Sequence, residues 1–132
     1  MTASSFEAQY FLPDTAEEAV ALKSAHPDAS FVGGATLVMS PLWGHRPRTL
    51  IDLSALGLSE CVEVEGQLVI GGGLTIDRLL NLSELKGRQF SAIREAAASV
   101  ETDVIRKTAT VAGNLSYRSG TLATAFSLYA AE

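Results

Sequence analysis

One cysteine, Cys61, stands in a chain of 132 residues. No internal disulfide can form, and there is no CxxC or Cys/His cluster to hold zinc or an iron-sulfur centre. Any metal chemistry has to come from another chain. Basic residues are scarce as well: 10 Lys and Arg against 15 Asp and Glu give a formal charge of -5. That balance argues against nucleic acid as a general partner, because affinity for a phosphate backbone rests on a basic surface that releases counterions. No apolar run approaches the roughly 18 residues a bilayer span needs, and the opening MTASSFEAQYF lacks the basic and apolar regions of a signal peptide, so no membrane partner and a cytoplasmic location are expected. The 2 histidines, His26 and His45, belong to no pattern resembling a nucleophilic triad or a metal site, and no general acid or base can be named.

What is present describes a globular chain. Hydrophobic residues make up 47% and charged residues 19% of the sequence, without the biased segments of disordered chains. A domain of this size buries roughly two thirds of its unfolded surface. The basic groupings are Arg46 with Arg48, and Arg106 with Lys107 and Arg118; each reads either as solvated surface charge or as part of a site nearby.

The order of elements is α+β, without the regular βαβ alternation of a doubly wound sheet. Asp14 to Glu17, or Thr15 to Glu18, can form a capping box opening a helix over AEEAVALK, with Ala19, Leu22 and Val20 as its candidate buried stripe. Ala29 to Val32 reads as a short strand running into Gly33 and Gly34, Thr36 to Met39 as a helical turn limited by Pro41, and Thr49 to Leu53 as a returning strand. A first subdomain over residues 1–56 is expected. A second, over 57–132, opens with CVEVEGQLVIGG, an alternating hairpin turning at Glu65 and Gly66. Thr75 can cap a helix over Ile76 to Leu82, and Arg88 to Val100 carries Phe90, Ile93, Ala96, Ala97 and Val100 at helical spacing. Val104 to Leu115 mixes β-branched residues with Gly113 and Asn114. Thr121 to Ala131 reads as an apolar helix.

Three segments can carry chemistry. In FVGGATL, residues 31–37, a strand delivers two glycines and a threonine to a helix start; such a turn suits a pyrophosphate, whose charge unpaired N-H groups and the helix dipole favour, or is simply a tight connection. It fits neither GxGxxG nor GxxxxGK[ST]. In IRKTATVAGNL, residues 105–115, Thr110 offers a hydroxyl, Gly113 a close backbone and Asn114 a two-way amide, or the segment is a plain turn after a strand. In VIGGGLT, residues 69–75, three glycines admit a flat ligand or make a sharp strand-to-helix turn.

Taken together, these segments resemble the FAD-binding flavoprotein subunit of molybdenum hydroxylases of the xanthine dehydrogenase and carbon monoxide dehydrogenase type. VGGAT-L is similar to that family's AGGTDL, and IRKTATVAGNL to its IRNxATxGGNL. IDLSAL, the hairpin and IGGGLTIDRLL follow in the same order, so the likeness spans nearly the whole chain. It implies an FAD-binding fold of the vanillyl-alcohol oxidase and MurB-like type, C-terminally truncated, whose flavin site would be incomplete. Carried over by position, Val32, Gly33, Gly34, Ala35, Thr36 and Leu37 would form one cofactor loop and Thr110, Ala112, Gly113 and Asn114 the other, with Tyr117 supplying a hydroxyl. The resemblance further implies a molybdopterin-binding subunit and a [2Fe-2S] subunit as partners and NAD or oxygen as acceptor.

The chain departs from the pattern at Thr36 and Lys107, where Asp or Asn and Asn are usual, at Ala112, where the first glycine of a pair belongs, and at Glu101, where a small residue is common. Ala123 replaces an Asp, and losing a hydrogen bond to a charged group costs about 1.5 to 3 kcal/mol. The leading expectation is an FAD-binding electron-transfer module. The alternatives are a cofactor-free binding or assembly module on the same fold, and an unrelated phosphate binder using residues 32–37 alone.

Overall fold

A computed structural model describes residues 8–40, 44, 47–100 and 102–117. The chain begins with a strand that periodicity did not signal, β1 (Gln9–Phe11), followed by helix α1 (Ala16–Ala25). Of the two candidate caps, Thr15 is the one that forms: its Oγ1 accepts from the Glu18 N-H at 3.1 Å. The Glu18 carboxylate accepts from the Asp14 N-H at 2.9 Å, one residue further back than a standard capping box. Lys23 Nζ donates to the carbonyls of Pro27 and Ala29, both at 2.6 Å, which ties the end of α1 to the next strand. Ala19 is buried and Leu22 packs beside it, whereas Val20 is 63% exposed and lies off the stripe.

Strands β2 (Ser30–Val32) and β3 (Thr49–Asp52) complete a parallel sheet in the order β1-β3-β2. Ile51 pairs with Phe11 on one side and Phe31 on the other. It is fully buried and forms a small core with Ala19 and Ala29, flanked by Phe11, Leu22, Leu53 and Leu56. Val32 and Asp52 are in register, and the Leu53 N-H donates to the Val32 carbonyl at 2.8 Å. Gly33 and Gly34 therefore leave the sheet at its C-terminal edge. A 3-10 turn, Ser54–Leu56, ends at Gly57 in the left-handed region.

Strands β4 (Cys61–Val64) and β5 (Gln67–Ile70) form the expected antiparallel hairpin. Glu65 and Gly66 have φ of 51° and 76°, the double positive φ that a two-residue type I′ turn requires. Helix α2 (Ile76–Leu80) is capped by Thr75, whose Oγ1 accepts from the Arg78 N-H at 3.3 Å. It stops two residues short of the expected end, at Asn81, whose side-chain amide donates to the Asp77 carbonyl. The long helix anticipated over Arg88 to Val100 is instead a 3-10 turn, Arg88–Phe90, leading into α3 (Ser91–Ala98).

The strand anticipated within Val104 to Leu115 is replaced by two short helices, α4 (Asp103–Thr108) and α5 (Val111–Ser116). The cause is capping. Thr102 and Thr110 each accept a hydrogen bond from the N-H three residues on, so each starts a helix and overrides the β preference of the branched residues. Arg106 then binds the end of α3, donating to the carbonyls of Val100 at 2.7 Å and Ala98 at 3.3 Å. Leu74, Ile76, Leu79, Leu85, Ile93, Ala97, Val100, Ala109 and Val111 make the larger core, against which Leu68 and Ile70 of the hairpin pack. The helix expected over Thr121 to Ala131, with Arg118, lies outside the described residues. Among those described, no helix is long and apolar enough to cross a membrane.

Candidate functional site

The first and third glycine-bearing segments picked out in the sequence meet the second in space, along the stretch from Thr108 to Ala112. Gly34 lies directly on the chain there: a Cβ built on it would sit 1.7 Å from the Thr108 carbonyl oxygen. Gly33 lies on the Thr110 side chain, with a notional Cβ 2.7 Å from its Oγ1. A Cβ on Gly72 would fall 2.9 Å from that of Ala112. Only glycine permits the approach of 34 to 108, which joins the loop after β2 to the turn between α4 and α5.

The first loop is open to a ligand. Gly33 is exposed, Gly34 to Leu37 are half-buried, and Val32 is buried beneath them. Ala35 has φ of 56°, an uncommon conformation for a residue with a side chain. The Met39 N-H donates to the Ala35 carbonyl and the Ser40 N-H to the Leu37 carbonyl, giving the helical turn expected after the glycines. Among the described residues, the N-H groups of Gly33, Gly34, Ala35 and Thr36 have no hydrogen-bond partner. Consecutive unpartnered donors at the C-terminal edge of a parallel sheet fit the oxygens of a phosphate or pyrophosphate.

The second loop is built differently. The Val111 N-H donates to the Leu74 carbonyl and the Ala112 N-H to the Gly72 carbonyl, both at 2.9 Å. The Gly113 N-H goes to Thr110 Oγ1 at 3.2 Å and the Asn114 N-H to the Thr110 carbonyl at 3.0 Å. From Val111 to Asn114 its main-chain donors are thus taken up within the protein. Thr110 is 8% exposed, Ala112 and Gly113 lie at the surface, Asn114 is half-buried and Tyr117 is 42% exposed.

The third glycine segment is the sharp turn, one of its two readings. The Gly71 N-H donates to the Glu60 carbonyl and the Gly73 N-H to the Leu58 carbonyl, and Cβ atoms at either would crowd Leu58. Sequence reasoning missed the carbonyls of Gly72, Leu74 and Thr108 as the groups that seat the two loops. The clustering of three glycine-bearing segments was the signal, but it does not say which backbone atom meets which.

Of the basic groupings, Arg106 is structural; Arg46 and Arg118 lie outside the described residues. Asp52, beside the first loop, is held by the Tyr10 hydroxyl, which donates to Oδ2, and by the Ser54 N-H, which donates to Oδ1 at 2.8 Å. Partial burial works against its ionisation, but these hydrogen bonds outweigh it and hold the carboxyl below its ordinary pKa. The same bond to Asp52, then burial and the charge of Asp52, raise the pKa of Tyr10. Burial and then the charge of Glu84 push the Cys61 thiol up against a smaller opposing effect of Arg78, which makes it a poor nucleophile. Among the described residues no group of acidic, His or Cys side chains could hold a metal ion.

Comparison with known proteins agrees with this geometry. The sequence profile of the FAD binding domain in molybdopterin dehydrogenase matches residues 4–132. Among solved structures, a Cu,Mo-CO dehydrogenase in its cyanide-inactivated form superposes with a TM-score of 0.72 at 27% identity, covering 81% of this chain and 38% of its own. Carbon monoxide dehydrogenase from Hydrogenophaga pseudoflava, lacking the Mo-pyranopterin moiety, gives 0.73 at 26%, covering 83% and 39%. Quinoline 2-oxidoreductase from Pseudomonas putida 86, at 23% identity and a TM-score of 0.66 over 82% of this chain, shares the fold. A search of curated proteins returns no significant match. The chain spans well under half the length of these structural relatives. With the match running from residue 4 through the last residue, the chain belongs to the family of FAD-binding domains of molybdopterin dehydrogenases, whose cofactor is FAD.

Proposed function

We propose that this chain holds FAD as an electron-transfer module of a molybdenum hydroxylase-type oxidoreductase, with the cofactor's pyrophosphate on the loop from Val32 to Leu37. The observation that carries this reading is the run of unpartnered N-H groups from Gly33 to Thr36, set against Thr108 to Ala112 by glycine packing. Bound FAD would supply the redox chemistry, accepting and releasing electrons. The protein's part is to bind and orient it. Val32 forms the floor of the loop, Gly33 to Thr36 donate to the phosphate oxygens, and Leu37 anchors the turn that follows. Thr110, Ala112 and Gly113 would form the opposing wall, and the Asn114 amide and the Tyr117 hydroxyl would add polar contacts to the cofactor. As the sequence resemblance implies, the module would work between a [2Fe-2S] subunit and NAD or oxygen, alongside a molybdopterin-binding subunit.

A second reading, a cofactor-free module on the same fold, draws support from Ala112 and from the N-H groups of Val111 to Asn114 being used internally. One experiment separates the two. The purified chain is mixed with excess FAD and gel-filtered, and the visible spectrum of the protein peak is recorded. Near-stoichiometric flavin bands support the FAD module; a colourless, folded peak refutes it for this chain. Competition by ADP would then show whether the adenosine diphosphate half alone suffices, the behaviour of a simple phosphate binder.

A further inference from the structure

We infer that Lys107 is a further binding residue of this site, its ammonium group supplying the positive charge that an anionic cofactor on the first loop lacks from its other neighbours. The inference rests on the FAD reading for where the pyrophosphate lies. Lys107 and Arg106 form one basic grouping in the sequence, and the structure separates them. Arg106 is engaged with the carbonyls of Val100 and Ala98 and with the Asp103 carboxylate. Lys107 is exposed and, among the described residues, makes no hydrogen bond or ion pair.

Its place decides what that charge can meet. Lys107 lies in the last turn of α4, one residue before Thr108, whose carbonyl oxygen the Gly34 backbone touches. Consecutive Cα atoms stand about 3.8 Å apart, and a lysine carries its charge on a flexible four-carbon stem. The ammonium group can therefore swing to an oxygen held by the N-H groups of Gly33 to Thr36 with no movement of the backbone.

Charge around the first loop otherwise runs against an anion. On the sheet side Asp52, in register with Val32, is kept ionised by its hydrogen bonds from Tyr10 and Ser54. On the helix side stands the carbonyl end of α4, the negative end of a helix, with the Thr108 carbonyl against Gly34. The main-chain N-H groups can hydrogen-bond a pyrophosphate but carry no net charge. Lys107 offsets both sources of negative potential, at a range where a charge near a protein surface still acts. In the free chain it is a solvated surface charge; with a phosphate on the first loop it gains a counter-ion.

Titration with ADP and with FAD tests this on wild type, Lys107→Arg, Lys107→Gln and Lys107→Glu, at about 10 mM salt and again at about 1 M, where the Debye length has shrunk from about 30 Å to about 3 Å. At low salt Lys107→Gln should weaken ADP binding by about three- to tenfold and Lys107→Glu by more, with Lys107→Arg within about twofold of wild type. In 1 M salt the four proteins should converge to within about twofold. Lysine, arginine and glutamine are similar helix formers, so Lys107→Arg and Lys107→Gln should melt with wild type, which a purely structural role for the side chain would not allow.

Equal affinity of wild type and Lys107→Gln at low salt, or a loss that 1 M salt does not diminish, overturns the inference. The FAD reading is decided separately by the same titrations. If ADP binds with this charge pattern and FAD does not bind, the cofactor assignment fails and Lys107 stands as a phosphate contact. If FAD binds equally well to all four proteins, the cofactor assignment stands and the role of Lys107 falls. If neither nucleotide binds, both fall.

Discussion

Replacing Gly34 with alanine tests the contact on which the site depends. The added Cβ would lie 1.7 Å from the Thr108 carbonyl oxygen, 2.6 Å from its carbonyl carbon and 3.2 Å from the Ala109 nitrogen. A carbon and an oxygen in ordinary contact stand more than 3 Å apart, so the two segments must part by about 1.5 Å. Both sides are backbone and no rotamer change can relieve the overlap. Overpacking usually costs about 1 to 3 kcal/mol, and here the upper end applies. For a domain of this size, about 3 kcal/mol lowers the melting temperature by roughly 10 to 15 °C. Gly57→Ala is the control. It meets nothing within 4 Å but has φ of 67°, so it bears only the left-handed penalty of about 1 to 2 kcal/mol. Thermal unfolding by circular dichroism would give the order Gly34→Ala well below Gly57→Ala below wild type. If Gly34→Ala melts at or above Gly57→Ala, the docking of the first loop on Thr108 is wrong. If it melts low but retains flavin, the contact is real and the ligand does not depend on it.

Other perturbations separate neighbouring effects. Arg106→Ala removes a guanidinium bound to the last carbonyls of α3 and should cost about 2 kcal/mol, whereas Asp103→Asn, on the exposed side of the same ion pair, should cost under about 1 kcal/mol in urea unfolding. Equal costs would mean that the ion pair, not the helix end, is what Arg106 serves. Tyr10→Phe should be destabilising in a pH-dependent way. Because the folded Asp52 pKa is depressed, its contribution is present above the unfolded value near 3.8 and is lost as pH falls through the folded value; because the folded Tyr10 pKa is raised, its contribution is present below 10.0 and is lost as pH rises through the folded value. The gap between wild type and Tyr10→Phe should therefore narrow at both ends, and a gap constant from pH 3 to neutrality would contradict it. Thr15→Ala should cost about 1 kcal/mol by removing the cap of α1, measured by thermal unfolding, with Thr15→Ser close to wild type.

Local chemistry made much of this legible. Thr15 and Thr75 announced their helices, the Glu65-Gly66 pair its hairpin, and Gly33-Gly34 a sharp exit from a strand, because each depends on a neighbour within four residues. Failures came where a longer reach decides. β1 is three residues long and exists only because β3 pairs with it. Val104 to Leu115 carries the composition of a strand, but two threonine caps and the docking of Ile105 and Val111 on the larger core turn it into helices. At the site, the residue types were readable and their main-chain partners were not. Nothing local tells that the Ala112 N-H is taken by the Gly72 carbonyl.

The touching of Gly34 and Thr108 bears on how the molecule assembles. The two are far apart along the chain, and each is set by a different hydrophobic cluster, Gly34 by the sheet around Ile51 and Thr108 by the helices around Ile76. Contacts of such long range close late, since the entropy of the intervening loop must first be overcome. A folding intermediate with either cluster formed alone would have no binding site, and cofactor added during refolding should change the last step and leave the earlier ones untouched. Any ligand seated across that seam holds the two clusters together, and its binding energy adds to the cohesion of the whole chain.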